Sequence, residues 1–450
     1  MKIFDTLSQE EQEVQPAEGG KVRIYACGPT VYAPVHVGNA RPFVVFSLLK
    51  RFLSREGHDV TFVANITDVN DKIYAAAGDG PSAELAREMT ARYVADTDRL
   101  ELGRPDLEPL ASESIAPIVE LIQSLIDGGH AYASDGDVYF RVRSFGDYGK
   151  LSNRPLEEMD QGEDDEGPKE DPHDFALWKA QKPGEDSAWD APWGKGRPGW
   201  HIECSAMAER AFGGVNFEIH GGGSDLIFPH HENEIAQTEA ARGEPLAKLW
   251  MHNGMLQFDR EKMSKSVGNI SLLSGALDEY GRDALVMFFV RSHYRKPVEY
   301  SASALEQAAQ AAGRIRELGR RLDPDAEPPA GPLVDRYRER FDRALASDFN
   351  TPAALTEVFD FVSYLNKRLD EGATHSPGPL EGMLYVLGLD NLLEAPDGVP
   401  DDHARRLLAE REEARLAKDF ATADARRDEL LALGWQVRDT PEGPLLVRRT

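Results

Sequence analysis

The chain has very little cysteine and no long apolar run. Its 450 residues include only two cysteines, Cys27 and Cys204, which are too few for the disulfide framework of a small secreted protein. No run of about 18 apolar residues is present, so no transmembrane helix is predicted. The opening residues also lack the apolar core of a signal peptide. We therefore expect a cytoplasmic protein without a membrane partner.

Positive charge is scarce as well. The chain has 51 lysine and arginine residues against 78 aspartate and glutamate residues, a formal net charge of −27. This balance normally argues against a nucleic-acid partner. In a proteome adapted to high salt, however, acid-rich surfaces are general, and overall charge then says little about local RNA contacts. The length and the 41% hydrophobic content predict a globular protein of two to four domains.

The first part of the chain predicts a parallel sheet. Residues 22–27 have the pattern of a short strand, residues 42–55 that of an amphipathic helix, and residues 60–66 that of a second strand. A strand, a helix and a strand with short connections indicate a parallel βαβ unit. Its functional groups should lie at the carboxyl ends of the strands, where Cys27 and Thr67 fall.

The rest of the chain predicts an insertion, a bundle and a tail. A predicted strand at 137–142 and an acidic loop interrupt the α/β pattern, which resumes with strands at 216–220 and 249–253 and a glycine turn at 221–223. The tail predicts one charged helix to about residue 433 and two short strands. The predicted fold class is α/β: a Rossmann-like parallel sheet split by an insertion, followed by an all-α bundle and a small C-terminal α+β module. The predicted boundaries are 1–120 and 191–260 for the two halves of the sheet domain, 121–190 for the insertion, 261–305 for a connecting region, 306–395 for the bundle and 396–450 for the module.

Two short motifs are suited to a nucleotide. The motif His36-Val37-Gly38-Asn39 lies between the first strand and the following helix, where an imidazole and helix N-terminal amides can meet a phosphate. The second, Lys262-Met263-Ser264-Lys265-Ser266, carries two lysines that could stabilise charge on a triphosphate during adenylyl transfer. Each alone is also compatible with an ordinary loop, but their order around a split βαβ sheet favours an ATP site.

Four distant residues could bind one metal ion. His230 and Glu234 stand four positions apart at the start of a predicted helix, so their side chains share one face. Together with Cys27 and Cys204 they offer two thiolates, one imidazole and one carboxylate, a mixture that suits tetrahedral Zn²⁺. From spacing alone, a buried histidine and a surface glutamate are the default interpretation.

The sequence segments around these residues are similar to motifs of known families. The HVGN and KMSKS motifs are similar to the ATP-site signatures of class I aminoacyl-tRNA synthetases, with Asn39 at a position where the family motif ends in histidine. The sequence further resembles cysteinyl-tRNA synthetases in four blocks that extend the likeness to essentially the whole chain: Tyr25-Ala26-Cys27-Gly28-Pro29-Thr30-Val31-Tyr32, Asn65-Ile66-Thr67-Asp68, Gly199-Trp200-His201-Ile202-Glu203-Cys204-Ser205-Ala206-Met207 and Phe228-Pro229-His230-His231-Glu232-Asn233-Glu234.

This resemblance implies roles for individual residues. It implies one Zn²⁺ per chain and Mg²⁺ with ATP. The implied zinc ligands are Cys27, Cys204, His230 and Glu234, with His231 as the alternative. The implied cysteine pocket is Thr67, Trp200 and Asp225. The implied ATP-binding residues are His36, Gly38, Asn39, Lys262 and Lys265, of which His36, Lys262 and Lys265 would act in catalysis. The resemblance also implies that His201, His220 and His252 shape the pocket without acting as acids or bases.

The resemblance also implies an RNA partner. Residues 121–190 would be a connective peptide, residues 261–305 the KMSKS loop and a stem-contact region, and residues 396–450 an anticodon-binding module. Trp435, Arg438 and Asp439 offer a stacking face and base-edge partners. The expected activity is zinc-dependent selection of L-cysteine, its activation with ATP, and transfer to the 3′-terminal adenosine of tRNA(Cys) by a monomer. Two alternatives stay open: a mycothiol-pathway ligase joining cysteine to an amino sugar, and a catalytically silent paralogue that binds RNA or metal.

Overall fold

A parallel sheet organises the N-terminal part of the chain. The computed structural model describes residues 1–159, 167–258, 272–393, 402–440 and 443–448. The first elements are β1 (Lys2–Asp5), β2 (Glu10–Glu13), β3 (Lys21–Ala26), α1 (Val37–Arg55), β4 (Asp59–Ala64), α2 (Asp71–Ala77) and α3 (Ser82–Asp98). The β3–α1–β4 unit confirms the predicted parallel βαβ arrangement.

An antiparallel insertion separates the two halves of this sheet. It contains α4 (Ile115–Asp127), β5 (Ala131–Ser134), β6 (Asp137–Phe140), β7 (Phe175–Ala180) and β8 (Gly196–Pro198). The four strands pair in the order β5-β6-β7-β8. One apolar face of α4 packs on them, with Leu121, Leu125, Phe140 and Trp178 fully buried, so the insertion has its own core.

The second half of the parallel sheet follows the insertion. This segment contains α5 (Trp200–Phe212), β9 (Phe217–Gly223), α6 (Glu232–Arg242), β10 (Ala247–Asn253) and β11 (Leu256–Phe258), of which β9 and β10 belong to the sheet. The complete sheet has the order β10-β9-β3-β4, with all neighbours parallel. The carboxyl ends of all four strands therefore meet at one edge, which is where a doubly wound sheet binds ligands.

The predicted glycine turn at 221–223 is wrong. These residues are the last three of β9, and they pair in register with Met251, His252 and Asn253 of β10. Side chains could not fit there, since a Cβ on Gly221 would overlap the ring of Phe46 and one on Gly222 would lie 3.0 Å from Cε1 of His231. Glycine here marks close approach of neighbours to a strand, which the same letters do not distinguish from a turn.

Helices dominate the rest of the chain. In order, the elements are α7 (Leu273–Val290), β12 (Val298–Tyr300), α8 (Ala302–Gly319), α9 (Pro332–Ala346), α10 (Thr351–Asp370), α11 (Pro379–Val386), α12 (Asp402–Leu416), α13 (Phe420–Ala432), β13 (Trp435–Thr440) and β14 (Gly443–Arg448). Strand β12 pairs in parallel with β11. The apolar faces of α7 to α11 share one continuous core with α1 and the parallel sheet.

The C-terminal module has a separate small core. It is formed by Ala404, Leu407, Leu430, Trp435 and Leu446. The single predicted helix is two, because the chain turns at Lys418, whose φ is +60°, and Asp419 then caps α13. Within the parts of the chain that the structure describes, no helix combines the length and apolar character needed to cross a membrane.

Candidate active site and metal centre

A cavity of about 390 Å³ opens at the carboxyl edge of the parallel sheet. Six of the predicted site residues line it: Cys27, His36, Gly38, Asn39, Trp200 and Asp225. They arrive from the segment after β3, from the start of α1, from the start of α5 and from the turn after β9. The topology thus brings the predicted nucleotide motif and one predicted metal ligand to the same cavity.

A tight cluster of ligand-type side chains meets the cavity at Cys27. Cys27, His230, His231 and Glu234 each place one ligand-type atom within 4.8 Å of those of the other three, and all four are buried. Three of the four predicted ligands therefore converge, and the alternative His231 joins them. The Glu234 carboxylate is central, since its Oε1 lies 3.4 Å from the Cys27 Sγ and 3.1 Å from Nε2 of His230.

Cys204 contacts this cluster but is not one of its four residues. Its buried thiol, on α5, interacts with Cys27 and His230 and lies 3.6 Å from Oδ1 of Asn65. Burial alone would raise the pKa of this thiol, but the hydrogen bond with Cys27 and the charge on His230 lower it to about 6. The pKa of the Cys27 thiol is instead raised, first by burial and then by its bond with Cys204. Cys204 is therefore the more readily ionised sulfur.

Three further histidines hold the cluster in place. His201 and His230 approach through their Nδ1 atoms at 3.0 Å, and His220 Nε2 lies 2.8 Å from Oε2 of Glu234. His252 connects the Nδ1 of His231 at 2.7 Å to the hydroxyl of Thr6 at 2.7 Å. Partners of this kind fix the orientation and tautomer of metal-ligating side chains. The predicted shaping role of these three histidines stays a prediction.

Burial keeps most of these imidazoles neutral. It lowers the pKa of His252 to about 3, aided by neighbouring His220, and it lowers the pKa of His201 and His231 well below the ordinary value. For His230, burial also lowers the pKa, but the negative charges of Cys204 and Glu234 raise it overall. Neutral imidazoles and ionised thiols are the forms that bind metal ions.

The donor set fits a Zn²⁺ ion. It combines thiol, imidazole and carboxylate groups, which this borderline-soft ion accepts in tetrahedral sites. The Nε2 atom of His231 is buried and has no hydrogen-bond partner among the described residues, and it faces Oε1 of Glu234 at 3.8 Å. A buried ring nitrogen without a hydrogen-bond partner is available to bind a metal ion.

The N-terminus of α1 forms another wall of the cavity. His36 caps the helix: its Nδ1 accepts the N–H of Gly38 at 3.1 Å, and Oδ1 of Asn39 accepts the N–H of His36 at 3.1 Å. This is a reciprocal capping box. Asn39 thus closes the helix start, a structural task that needs no positive charge. Burial lowers the pKa of His36.

A buried arginine ties this wall to two loops. The guanidinium of Arg41 donates to the carbonyl oxygens of Gly254 and Met255, which lie just after β10, and to those of His293 and Lys296, which lie between α7 and β12. Burial lowers its pKa to about 10. No feature of the sequence pattern singled out Arg41, because its partners are backbone atoms.

The three residues predicted to hold the amino acid lie in different settings. The Trp200 ring stacks on His230 with centroids 4.4 Å apart and is half-buried. Asp225 is exposed at the cavity edge. Thr67 is buried behind the lining, with its N–H bonded to the Pro29 carbonyl and its hydroxyl 3.3 Å from Asn65 Nδ2.

Asn65 is a residue that the sequence analysis left without a role. Its side-chain oxygen accepts the N–H of Gly28 at 3.0 Å and also faces the Cys204 thiol. A Cβ on Gly28 would overlap the Asn65 carbonyl, so glycine permits this contact. The one sequence feature that could have pointed to Asn65 is its position at the end of a strand, two residues before Thr67.

The remaining predicted residues fall into two groups. Lys262 and Lys265 lie outside the described residues. The side chain of Trp435 is only 6% exposed and packs in the core of the C-terminal module, so the open stacking face expected there is covered. Arg438 and Asp439 lie in β13, and their role in RNA binding stays a prediction.

Comparison with known proteins extends these observations to the whole chain. Residues 13–310 match the family model for the tRNA synthetases class I (C) catalytic domain, residues 340–388 the DALR domain, and residues 398–443 the cysteinyl-tRNA ligase anticodon binding domain.

Two curated relatives and one solved structure illustrate the likeness. A cysteine–tRNA ligase of Methylobacillus flagellatus is 46% identical and one of Chromohalobacter salexigens 45% identical, each with 98% of both chains covered. The fold is similar to that of Mycobacterium tuberculosis methionyl-tRNA synthetase in complex with methionyl-adenylate, with a TM-score of 0.60 at 16% identity, covering 83% of this chain and 90% of that one. Full-length identity at this level, together with the catalytic-domain match, shows that the chain belongs to the cysteine–tRNA ligase family of class I aminoacyl-tRNA synthetases.

Proposed function

We propose that this chain selects L-cysteine with a zinc ion, activates it with ATP and Mg²⁺ to cysteinyl-adenylate, and transfers the cysteinyl group to the 3′-terminal adenosine of tRNA(Cys). The observation that carries the proposal is the cluster of Cys27, His230, His231 and Glu234, which meets, at Cys27, the cavity that the start of α1 also lines. A site for a soft ligand and a site for a nucleotide then share one cavity.

Zinc would be held by Cys27, Cys204, His230 and Glu234. The lowered pKa of Cys204 and its contacts with Cys27 and His230 support it as the fourth ligand. His231 is the alternative, supported by its position within the 4.8 Å set. When bound, the ion would supply a soft Lewis acid that prefers the sulfur of cysteine to the hydroxyl of serine.

Binding of the substrate sulfur to the metal would discriminate against serine strongly enough that no separate proofreading site is needed. An apolar pocket discriminates between side chains that differ by one small group by only about 10- to 200-fold. Trp200 would cover the side chain of the amino acid, Asp225 would receive its ammonium group, and Thr67 would support the pocket from behind. The carboxylate of the amino acid is then left facing the nucleotide wall.

Activation requires positioning and charge stabilisation. A carboxylate oxygen of cysteine attacks the α-phosphorus of ATP, and the bond to pyrophosphate breaks. His36 and the start of α1 would seat ATP, while Lys262 and Lys265 would stabilise the negative charge on the departing pyrophosphate. The adenosine hydroxyl of tRNA then attacks the carbonyl carbon of the adenylate, and AMP leaves. The substrate supplies the nucleophile in both steps, so no protein general base is assigned.

The C-terminal residues 402–448 separate this proposal from its nearest rival. A ligase that joins cysteine to an amino sugar needs no module of the anticodon-binding type, yet residues 398–443 match one. The module would read the anticodon of tRNA(Cys).

Two assays on the purified chain test the proposal. We expect pyrophosphate exchange into ATP that depends on cysteine, and charging of a tRNA(Cys) transcript with cysteine. Exchange without charging, combined with ligation of cysteine to an amino sugar, would favour the rival ligase. Binding of tRNA without exchange would favour a silent paralogue. Serine in place of cysteine is the matched substrate control.

A further inference from the structure

An aromatic ring and an ammonium group stand together at the mouth of the cavity. Tyr32, in the segment between β3 and α1, is 42% exposed, and Lys72, in the first turn of α2, is exposed as well. The Lys72 Nζ lies 5.7 Å from the centre of the Tyr32 ring. Both residues belong to the cavity lining, so both can reach a molecule that enters from outside.

The Lys72 charge is not used by an acidic neighbour. Among the described residues, Lys72 forms no ion pair with a carboxylate. Its ammonium group contacts the ring of Tyr32. The adjacent Asp71 points elsewhere and pairs with Arg197 and Lys179 of the insertion. In a chain of net charge −27, an ammonium group left open at a cavity mouth is available to an anionic ligand.

We propose that Tyr32 and Lys72 bind the unpaired 3′ end of tRNA: the Tyr32 ring stacks on a terminal base, and the Lys72 ammonium contacts a phosphate of the same strand. An exposed ring beside a cation is the combination that recognises single-stranded nucleic acid. This inference rests on the proposed function, because only a tRNA ligase needs an RNA end at this position.

The location favours the RNA end over ATP as the ligand. The proposed ATP seat is the capped start of α1, around His36 and Gly38, and the proposed triphosphate cations are Lys262 and Lys265. Lys72 instead starts the helix whose Asp71 is bonded to β7 and β8, so it lies where the parallel sheet meets the insertion. A strand that enters between these two bodies would pass Tyr32 and Lys72 before it reaches the adenylate.

The test compares adenylate formation with transfer to tRNA. The variants are Tyr32→Ala and Lys72→Ala, with Tyr32→Phe and Lys72→Arg as conservative partners. The matched control is Tyr385→Ala, which removes another exposed tyrosine (45% exposed) with a cation, Arg51, 4.7 Å from its ring centre, outside the cavity lining. Circular dichroism establishes that each variant is folded.

We expect Tyr32→Ala and Lys72→Ala to lower kcat/KM for tRNA about tenfold more than they lower cysteine-dependent pyrophosphate exchange, consistent with loss of one stacking or phosphate contact. Tyr32→Phe and Lys72→Arg should recover most of the loss, and Tyr385→Ala should behave as wild type. Lys72→Ala should also reduce the slope of log affinity for tRNA against log salt by about one.

A second arm uses a tRNA(Cys) transcript that lacks its terminal adenosine. If the Tyr32 ring stacks on that base, removing the base and removing the ring should not have additive effects on tRNA binding. Equal losses in exchange and transfer would assign the pair to ATP and overturn the inference. Additive effects, or variants equal to wild type, would also overturn it. Absence of cysteine-dependent charging in the wild-type chain would instead refute the proposed function.

Discussion

The cavity wall at Cys27, with His230 and Glu234 behind it, is buried and joined by side-chain contacts, whereas the wall formed by α1 and the segment before it opens to solvent at Tyr32. On the first wall, polar groups contact one another across four elements of the fold. On the second, the start of α1 is satisfied locally by its own capping box. The functional groups of the first wall therefore depend on contacts between several elements, whereas those of the second depend on the start of one helix.

This difference suggests a division of labour. Selection of a small amino acid requires donors held within a few tenths of an ångström, which a buried set with fixed partners provides. A nucleotide and an RNA end must enter and leave, which a wall with exposed side chains permits. Changes in the buried wall should therefore act on metal and cysteine, and changes in the open wall on nucleotide and RNA.

The largest effect is expected from the buried wall. Cys204→Ser should release zinc and lower kcat/KM for cysteine roughly a hundredfold or more, because even outer partners of a metal site contribute 10- to 100-fold to metal affinity. ATP binding should change little. Metal analysis and exchange kinetics check both statements. His231→Asn is the matched variant: if it releases zinc and Cys204→Ser does not, His231 is the fourth ligand.

Arg41 offers a test of the open wall. Arg41→Met would leave four backbone carbonyl groups without their donor, and we expect it to reduce the free energy of unfolding by roughly 3 kcal/mol. The KM for ATP should rise, because the start of α1 loses its tie to the loops after β10 and α7. Urea unfolding and exchange kinetics measure these effects. The zinc content should be unchanged.

Arg55→Met on the same helix is the control for Arg41. Arg55 pairs with Asp342 and Glu56 at the surface, and such pairs contribute about 1 kcal/mol or less. A similar loss of stability in both variants would mean that Arg41 has no special structural role.

The effect that is smallest near neutral pH concerns the pH dependence of stability. The folded protein holds the pKa of His252 at about 3, against an ordinary value of 6.5, so the unfolded chain binds a proton that the folded chain does not. The stability from neutral His252 is therefore complete above pH 6.5 and is lost as pH falls towards 3, by about 1.4 kcal/mol per pH unit. In His252→Gln, urea unfolding of metal-free protein should show a slope against pH that is smaller by this amount.

The exposed His403 provides the control for His252. His403→Gln should leave the pH dependence of unfolding as it is in the wild-type chain. If His252→Gln also leaves it unchanged, the histidine is not held neutral in the fold.

Much of the fold and part of the site followed from local patterns. The β3–α1–β4 unit was predictable because apolar periodicity and chain breaks are local properties. The convergence of Cys27, His230 and Glu234 followed from the family resemblance, since residues so distant in sequence do not announce one another. Contacts to backbone, such as those of Arg41, leave no pattern in the side-chain sequence.

Two errors have the same physical origin. Gly221 to Gly223 suggested a turn, and the Trp435 ring suggested an exposed stacking surface. In each case packing decided the outcome: glycine gave room to Phe46 and His231, and Trp435 packs into the core of the C-terminal module with Leu407, Leu430 and Leu446. Residue type alone does not determine which neighbours a position has.

The most direct test of the central claim uses cobalt in place of zinc. Co²⁺ bound by thiolates absorbs light through sulfur-to-metal charge transfer, so the chain loaded with Co²⁺ reports on the sulfur atoms that contact the ion. The account predicts that saturating L-cysteine increases this absorption and that L-serine does not, because the substrate sulfur joins the metal. An identical spectrum with and without cysteine would contradict it.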